Sequence, residues 1–171
     1  MGAWGIKVLE SDEGLDVVDV LREYLEEFED KKEITLKEII NLMIEEGMLG
    51  ETFEEIEFLY DNTAIAISEL YFDFKENEKL DYDDEEEDET TFSKLEKFSS
   101  DKKSLKYLID YLTNIYNKVP DEDGEREIVD LWYDDGQNPN YEEWYNHLCS
   151  LIEKLKSEYK WIVEKIYSFL W

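Results

Sequence analysis

Cysteine is nearly missing from this sequence of 171 residues, which contains only Cys149. A single thiol cannot form a disulfide within the chain, and it cannot supply the several cysteine ligands of a structural zinc site. The sequence therefore predicts a fold held together by side-chain packing, and it suits the reducing conditions of the cytoplasm.

Basic residues are scarce as well: 18 Lys and Arg stand against 47 Asp and Glu, which gives a formal net charge of −29 at pH 7. DNA, RNA and anionic lipid all repel such a chain, because binding to them requires cations that displace counterions. We therefore predict no direct nucleic-acid binding and no membrane binding. A basic protein is the partner that this charge favours.

Long apolar runs are also missing, since no run approaches the roughly 20 apolar residues that a transmembrane helix needs. Charges at Lys7, Glu10, Asp12 and Glu13 interrupt the start of the chain, which excludes the pattern of a secretory signal. We expect a cytoplasmic protein.

The residue combinations of common enzymes are not found. His147 is the sole histidine, and Cys149 would project about 200° away from it around a helix. We interpret them as a surface histidine and a small buried thiol. The seven glycines form no phosphate-binding loop, and the Glu that a carboxylate metal site needs three residues before the histidine is replaced by Trp144. We predict a protein that is not an enzyme and has no catalytic residues, cofactor or metal.

Apolar residues make up 42% of the sequence, and their spacing of three and four residues is typical of amphipathic helices. Ser11 has the features of an N-cap, and capping boxes are predicted at Thr35 to Glu38 and Thr52 to Glu55. These signals predict a first helix running to about residue 30 and a short helix stopped near Gly47. A longer helix follows over 53–76, which Asp61 and Asn62 kink or split. In the first helix, the expected buried stripe consists of Leu15, Val18, Leu21, Leu25 and Phe28, with Val17 and Tyr24 widening it.

The second half continues the pattern with a helix after Ser100 that Pro120 ends, and a short helix around Ile128 to Trp132. The last helix starts after Asn140 and keeps nine apolar positions at heptad spacing up to Phe169. About thirty helical residues, at about 1.5 Å each, span about 45 Å. Beyond Trp161 it is apolar on most sides. Internal packing is the favoured explanation, and a homodimer through the C-terminal helix is the alternative. The only short extended candidate is 6–9, so the fold class is all-α: one domain over 1–171 with about six helices.

The stretch DYDDEEEDE at 81–89 has eight acidic side chains in nine residues. Their mutual repulsion predicts a solvated, mobile loop over 77–93. The alternative is a segment that attracts a basic partner or divalent cations, although it lacks the spacing of an EF-hand.

Charge accelerates the encounter of two proteins, whereas apolar contact secures their affinity. Acidic residues of the loop and aromatic residues at helix ends are therefore the candidate partner-binding residues. They are Asp81, Asp83, Asp84, Glu85, Glu86, Glu87, Trp132, Tyr133 and Trp144.

The opening Met1 to Gly5, MGAWG, resembles the signature of a bacterial family of uncharacterised proteins that begin Met-Gly-(Ala or Thr)-Trp-Gly. The stretches 10–21, 64–70, 125–135 and 141–155 are similar to helical segments of that family, whereas the acidic insert at 81–89 and the tail beyond 156 depart from it. The resemblance implies a small helical cytoplasmic domain without an assigned activity, and some members look as if they lie near toxin and immunity genes. Between its glycines, Trp4 is expected to pack inward near helix ends, the alternative being an exposed anchor for a partner.

These observations lead to one functional expectation and two alternatives. We expect a non-enzymatic acidic module that binds a basic protein, as an inhibitor or immunity-type protein does. The first alternative is a nucleic-acid mimic that inhibits a DNA-binding protein, and the second is an enzyme of unrecognised type.

Overall fold

Helices dominate the structure of the protein, a computed structural model that describes residues 5–84 and 90–169. This part of the chain contains six α-helices, two short strands and three short 3-10 turns, at Val8–Glu10, Phe92–Lys94 and Asp134–Gly136. The elements are α1 Asp12–Glu26, β1 Glu33–Thr35, α2 Leu36–Glu45, α3 Phe58–Asn77, β2 Lys97–Ser99, α4 Lys102–Tyr116, α5 Glu127–Tyr133 and α6 Tyr141–Phe169. The predicted all-α bundle with a long C-terminal helix is confirmed. None of the described helices is both long and apolar enough to cross a bilayer.

Helix α3 lies at the centre of the bundle, and every residue from Asp61 to Phe72 is buried. A helix that is buried on all sides needs neighbours around its whole circumference. Each of the other five α-helices contacts α3. Segments that lie far from α3 in the sequence, on either side of it, therefore meet on its surface.

The predicted cap of α1 and the capping box of α2 are present. Ser11 Oγ accepts a hydrogen bond from the backbone N–H of Gly14 at 3.2 Å. In α2, Thr35 Oγ1 accepts from the N–H of Glu38 at 3.1 Å, while the Glu38 carboxylate accepts from the N–H of Thr35 at 2.8 Å. Two of the predicted helix starts thus follow from local side-chain chemistry.

The third predicted start is wrong, because α3 begins at Phe58 and not at Phe53. Glu55 does accept from the Thr52 N–H at 3.0 Å, as in a capping box. The backbone carbonyls of this stretch, however, accept hydrogen bonds from side chains of α4 and not from a following helical turn. The pairs are Tyr107 to Gly50, Asn114 to Phe53 and Tyr111 to Glu55.

Most of the predicted stripe of α1 is confirmed, since Val17, Val18, Leu21 and Leu25 are buried, but the helix ends at Glu26, short of residue 30. Leu15 and Phe28 are 43% and 45% exposed, and Gly14 faces the core where Leu15 was expected. A Cβ at Gly14 would lie 2.0 Å from the Val8 carbonyl oxygen, so only glycine permits this close approach. The contact turns the Gly14 side of α1 inward.

Two three-residue strands were not predicted. β1 and β2 pair in parallel with Ile34 opposite Phe98, and both of these side chains are buried. The predicted extended segment at 6–9 instead runs into the 3-10 turn at Val8–Glu10. Each strand buries one side chain, which is too little for a recognisable alternation.

The seam of α6 is buried over only part of its length. Trp144, Leu148, Ile152 and Leu155 lie in the core, whereas Ile166 is 49% exposed and Phe169 is 79% exposed. α6 runs antiparallel to α4, whose first residue, Lys102, places its Nζ 5.7 Å from the ring centre of Tyr159. Because α4 begins there, the prediction that the end of α6 packs internally is wrong.

Asp61 neither kinks nor splits α3, because its carboxylate is paired in the interior. Arg126 donates from Nε and Nη2 to the two Asp61 oxygens at 2.7 and 2.6 Å, and from Nη1 to the Val119 carbonyl at 3.0 Å. Burial raises the pKa of Asp61 to about 6, although the hydrogen bonds and charge of Arg126 act in the opposite direction. Asn62 donates back to the Phe58 carbonyl, which leaves the helix continuous.

We predict that Arg126→Met lowers the free energy of unfolding by about 3–5 kcal/mol in urea titrations at neutral pH, because it leaves a buried carboxylate without its cation. The double variant Asp61→Leu/Arg126→Met should recover most of this loss. Lys32→Met, which removes the exposed pair with Glu96, should leave the stability nearly unchanged, because solvent screens an exposed ion pair.

The loss in Arg126→Met should also shrink as the pH falls. Without the cation, the pKa of Asp61 in the folded variant rises further above its unfolded value, so the folded form takes up a proton that the unfolded form does not. A loss that stays constant as the pH is lowered would contradict the pairing.

Candidate partner-binding site

A cleft with a volume of about 390 Å³ lies between the N-terminal segment and helices α5 and α6. Its walls are residues 5–8, the starts of α1, α3 and α6, and the end of α5. Phe58, Leu131 and Trp132 supply apolar surface, and Glu13 and Glu143 supply carboxylates. We call this space the N-terminal cleft. It combines an apolar lining with charges at its edge, as ligand sites usually do.

The N-terminal wall of the cleft is held by Glu69, which is 2% exposed in the middle of α3. Its carboxylate accepts hydrogen bonds from the backbone N–H groups of Val8 at 3.0 Å and Leu9 at 2.9 Å. Lys7 adds an ion pair with Asp73 at 2.9 Å. Burial opposes the charge of Lys7, but the hydrogen bond and charge of Asp73 leave its pKa raised. The segment is therefore tied to α3 over three consecutive residues.

His147 completes this arrangement, with Nε2 2.7 Å from Glu69 Oε1. The interpretation of His147 as a surface histidine is wrong, since 22% of its side chain is exposed and it contacts an interior carboxylate. Cys149 is half-buried and not fully buried. Both carboxylate oxygens of Glu69 already form hydrogen bonds, so the Glu69–His147 pair positions the backbone of the N-terminal segment. In residues 5–84 and 90–169, no three acidic, histidine or cysteine side chains lie close enough together to hold a metal ion.

Six aromatic rings form a cluster beside the cleft, at the end of α4, in α5 and at the start of α6. Trp132 stacks on Trp144 with ring centres 5.4 Å apart, and Tyr133 meets Tyr141 edge-on at 5.4 Å. The aromatic cluster consists of Tyr116, Trp132, Tyr133, Tyr141, Trp144 and Tyr145. Lys118 Nζ lies 5.7 and 5.5 Å from the ring centres of Tyr141 and Tyr145. The rings pack against one another, and this packing fixes the positions of Trp132, which lines the cleft, and of its neighbour Tyr133.

The three predicted aromatic anchors have different surroundings. Tyr133 is 48% exposed, and Trp132 is half-buried in the wall of the cleft. Trp144 is only 1% exposed, so its prediction as a contact residue is wrong. It faces the core because it continues the buried face of α6, and it supports Trp132 from below.

The predicted acidic residues lie in a different place from the aromatic anchors. Asp81, Asp83 and Asp84 do not line the N-terminal cleft, and Glu85, Glu86 and Glu87 lie outside the described residues. Asp83 accepts from the backbone N–H groups of Phe92 and Ser93 at 2.8 and 2.7 Å, so it has a local structural role. Asp81 lines a separate cleft of about 360 Å³.

Two apolar side chains on the described flanks of the acidic segment pack on the core, so the solvated loop predicted over 77–93 does not extend over all of these residues. Leu80 is 3% exposed and Phe92 is fully buried. The Tyr82 carbonyl accepts from Arg22 Nη2 at 3.0 Å. These contacts are made by apolar residues that the acidic run obscured in the sequence. The predicted packing of Trp4 also falls outside the described residues.

Sequence reasoning missed a second group of acids, which lies next to Tyr133. Asp134, Asp135, Glu142 and Glu143 are all exposed around the turn between α5 and α6. We call these four residues the acidic rim. Asp134 and Asp135 have φ angles of 44° and 51°, a left-handed conformation that aspartate adopts more readily than most residues other than glycine. The Asp-Asp-Gly turn was the available signal.

Replacing Glu69 should loosen the N-terminal wall of the cleft. We expect Glu69→Ala to speed hydrogen exchange of the Val8 and Leu9 amides by about 10- to 100-fold, because a hydrogen bond to a charged acceptor contributes about 1.5–3 kcal/mol. NMR measures these two amides directly. Glu142→Ala, at an exposed position, should leave them unchanged. An equal acceleration at the Leu70 amide would indicate general unfolding and contradict the assigned role.

Comparison with known proteins finds one match. A family model described as a domain of unknown function (DUF4259) matches residues 2–147, which include α1 to α5 and the first turns of α6. No curated protein and no solved structure was found to match. The match covers most of the chain, including the cleft, the aromatic cluster and both buried carboxylates, so the chain belongs to the DUF4259 family.

Proposed function

We propose that this protein is a non-enzymatic module that binds a basic protein, as an inhibitor or immunity-type protein, and that it does so at the N-terminal cleft and the acidic rim. The observation that carries the proposal is the position of Tyr133 and Trp132. Two supported aromatic rings lie beside a cleft and next to four exposed carboxylates, on a chain with a net charge of −29.

The aromatic rings suit the role of anchors. Trp132 is held by its stack on Trp144, and Tyr133 is held by Tyr141. A ring that is already fixed loses little side-chain entropy when a partner covers it. Trp and Tyr are also enriched among the residues that dominate binding energy. The affinity is therefore assigned to these two residues.

The acidic rim suits the role of steering. Asp134 and Asp135 end α5, and Glu142 and Glu143 lie in the first turn of α6. Their charges attract a basic protein over about a Debye length and orient it toward Tyr133. The rim therefore governs the rate of association and its dependence on salt.

The lining of the cleft fits the side chain of a lysine or arginine of the partner. The aliphatic stem of such a side chain packs on apolar surface while its charged end stays near water. Phe58, Leu131 and Trp132 offer the apolar surface, and Glu13 and Glu143 offer the carboxylates. The cleft thus provides specificity for a cationic side chain.

We also propose that the protein is bacterial, because of the opening Met1 to Gly5, and that it is cytoplasmic, because Cys149 is its only cysteine.

An array of arginine- and lysine-rich peptides tests the binding, with the tightest peptide then titrated by calorimetry at about 50 and 300 mM salt. The variant Asp134→Asn/Asp135→Asn should weaken its binding by about 10-fold or more at low salt, and by less at high salt. Asparagine tolerates the left-handed backbone of this turn, so the loop is retained. Tyr133→Ala should weaken binding at both salt concentrations.

The matched control is Asp16→Asn/Glu23→Gln, which removes the same amount of charge from exposed positions on α1. It should weaken binding by no more than about 2-fold, because it changes the overall charge of the protein but not the charges of the acidic rim. Equal losses in the two double variants would show that only overall charge attracts the peptide. No binding at low salt would exclude the proposed partner class.

A further inference from the structure

Helix α6 extends past the body of the bundle. α4 begins at Lys102, beside Tyr159, and Tyr71 and Lys75 of α3 reach α6 at Glu158. From Glu164 to Phe169 every side chain is exposed. Side chains of this stretch contact other residues of α6: Lys165 Nζ lies 4.7 Å from the ring centre of Trp161, and Glu164 pairs with Lys160 at 3.8 Å. We call residues 156–169 the distal segment.

The distal segment keeps the apolar seam that holds the earlier part of α6 against α4. Tyr159, Ile162, Ile166 and Phe169 follow Leu155 at spacings of four and three residues. Upstream, Leu148, Ile152 and Leu155 of the same seam are buried. A heptad seam packs against another helix, but Ile166 and Phe169 are 49% and 79% exposed. The exposed half of the seam thus repeats a pattern that the protein already uses for helix pairing.

Charge indicates what covers this seam. The distal segment has three lysines, at 156, 160 and 165, against two glutamates, at 158 and 164, in a chain whose net charge is −29. A basic partner gains nothing from this slightly cationic surface, and an anionic membrane repels the chain as a whole. A second copy of the chain can approach here, because the segment has no net negative charge, whereas the net negative charge of the chain as a whole drives two copies apart.

We propose that a second copy of this chain pairs with the distal segment, seam against seam. A two-fold axis makes one surface its own complement, so the same residues serve both copies: the exposed Ile166 and Phe169, with the partly buried Tyr159 and Ile162 beside them. Because the exposed part of the seam lies at the end of α6, the helix pair lies away from the acidic bodies. The distal segment lies outside the matched family region, which ends at residue 147, and it does not line the N-terminal cleft.

The salt dependence of this dimer is opposite in sign to that of the proposed partner binding. Salt screens the repulsion between two acidic copies, so the dimer tightens as salt is raised. Binding of a basic peptide at the acidic rim weakens under the same change. The failure of one proposal is therefore distinguishable from the failure of the other.

Sedimentation equilibrium of the full chain at about 50 and 300 mM salt tests the pairing. Ile166→Glu should raise the dimer dissociation constant by about 100-fold or more, since two apolar side chains leave the interface and two carboxylates enter it. Ser168→Glu adds the same charge at an exposed position outside the seam and should change the constant by less than about 3-fold. Ile166 is half exposed in the single chain, so the variant retains its fold, which circular dichroism checks.

Three results would overturn the proposal. The first is a monomer at concentrations up to about 100 μM. The second is a dimer that Ile166→Glu and Ser168→Glu weaken equally. The third is co-sedimentation of the wild type, but not of Ile166→Glu, with neutral phosphatidylcholine vesicles in place of self-association, which would assign the seam to a lipid surface.

Discussion

Two carboxylates on the fully buried part of α3 constrain the whole arrangement. Asp61 and Glu69 lie about two turns apart on this helix, and burying either without partners would cost several kcal/mol. Their partners come from distant parts of the chain: Arg126 for Asp61, and the Val8 and Leu9 N–H groups with His147 for Glu69. Satisfying the two acids brings the N-terminal segment, the start of α5 and helix α6 to one side of α3. The N-terminal cleft lies between these three pieces.

The exterior divides into regions with different chemistry. At the turn between α5 and α6, exposed acids directly follow Tyr133 and Tyr141 in the chain, and the rings of these two tyrosines meet edge-on. At the far end of α6 the lysines slightly outnumber the acids, and an apolar seam remains uncovered. One end of α6 therefore belongs to a charged surface and the other to an apolar one. The two interactions that we propose use these two ends of α6 and differ in the sign of their salt dependence.

Local signals in the sequence located most helices but not all of their ends. The capping box at Thr35 and the N-cap at Ser11 act within four residues, so they were recognisable without knowing the fold. The capping box at Thr52 does not start a helix. The carbonyls around it, of Gly50, Phe53 and Glu55, instead accept hydrogen bonds from three side chains of the distant α4: Tyr107, Asn114 and Tyr111. The interpretations of Asp61 and His147 failed for the same reason, since their partners lie 65 and 78 residues away.

The sequence by itself determined the helical class, the long C-terminal helix and the acidic character, because apolar spacing, capping residues and charge are local or additive properties. Only the tertiary structure decided which acids are interior, which aromatic residues are accessible and where the seam of α6 loses its cover. Burial depends on what packs against a residue from elsewhere in the chain. Trp132 and Trp144 illustrate this: both were candidate anchors in the sequence, and their stacking on one another leaves one in the core and the other at the edge of the cleft.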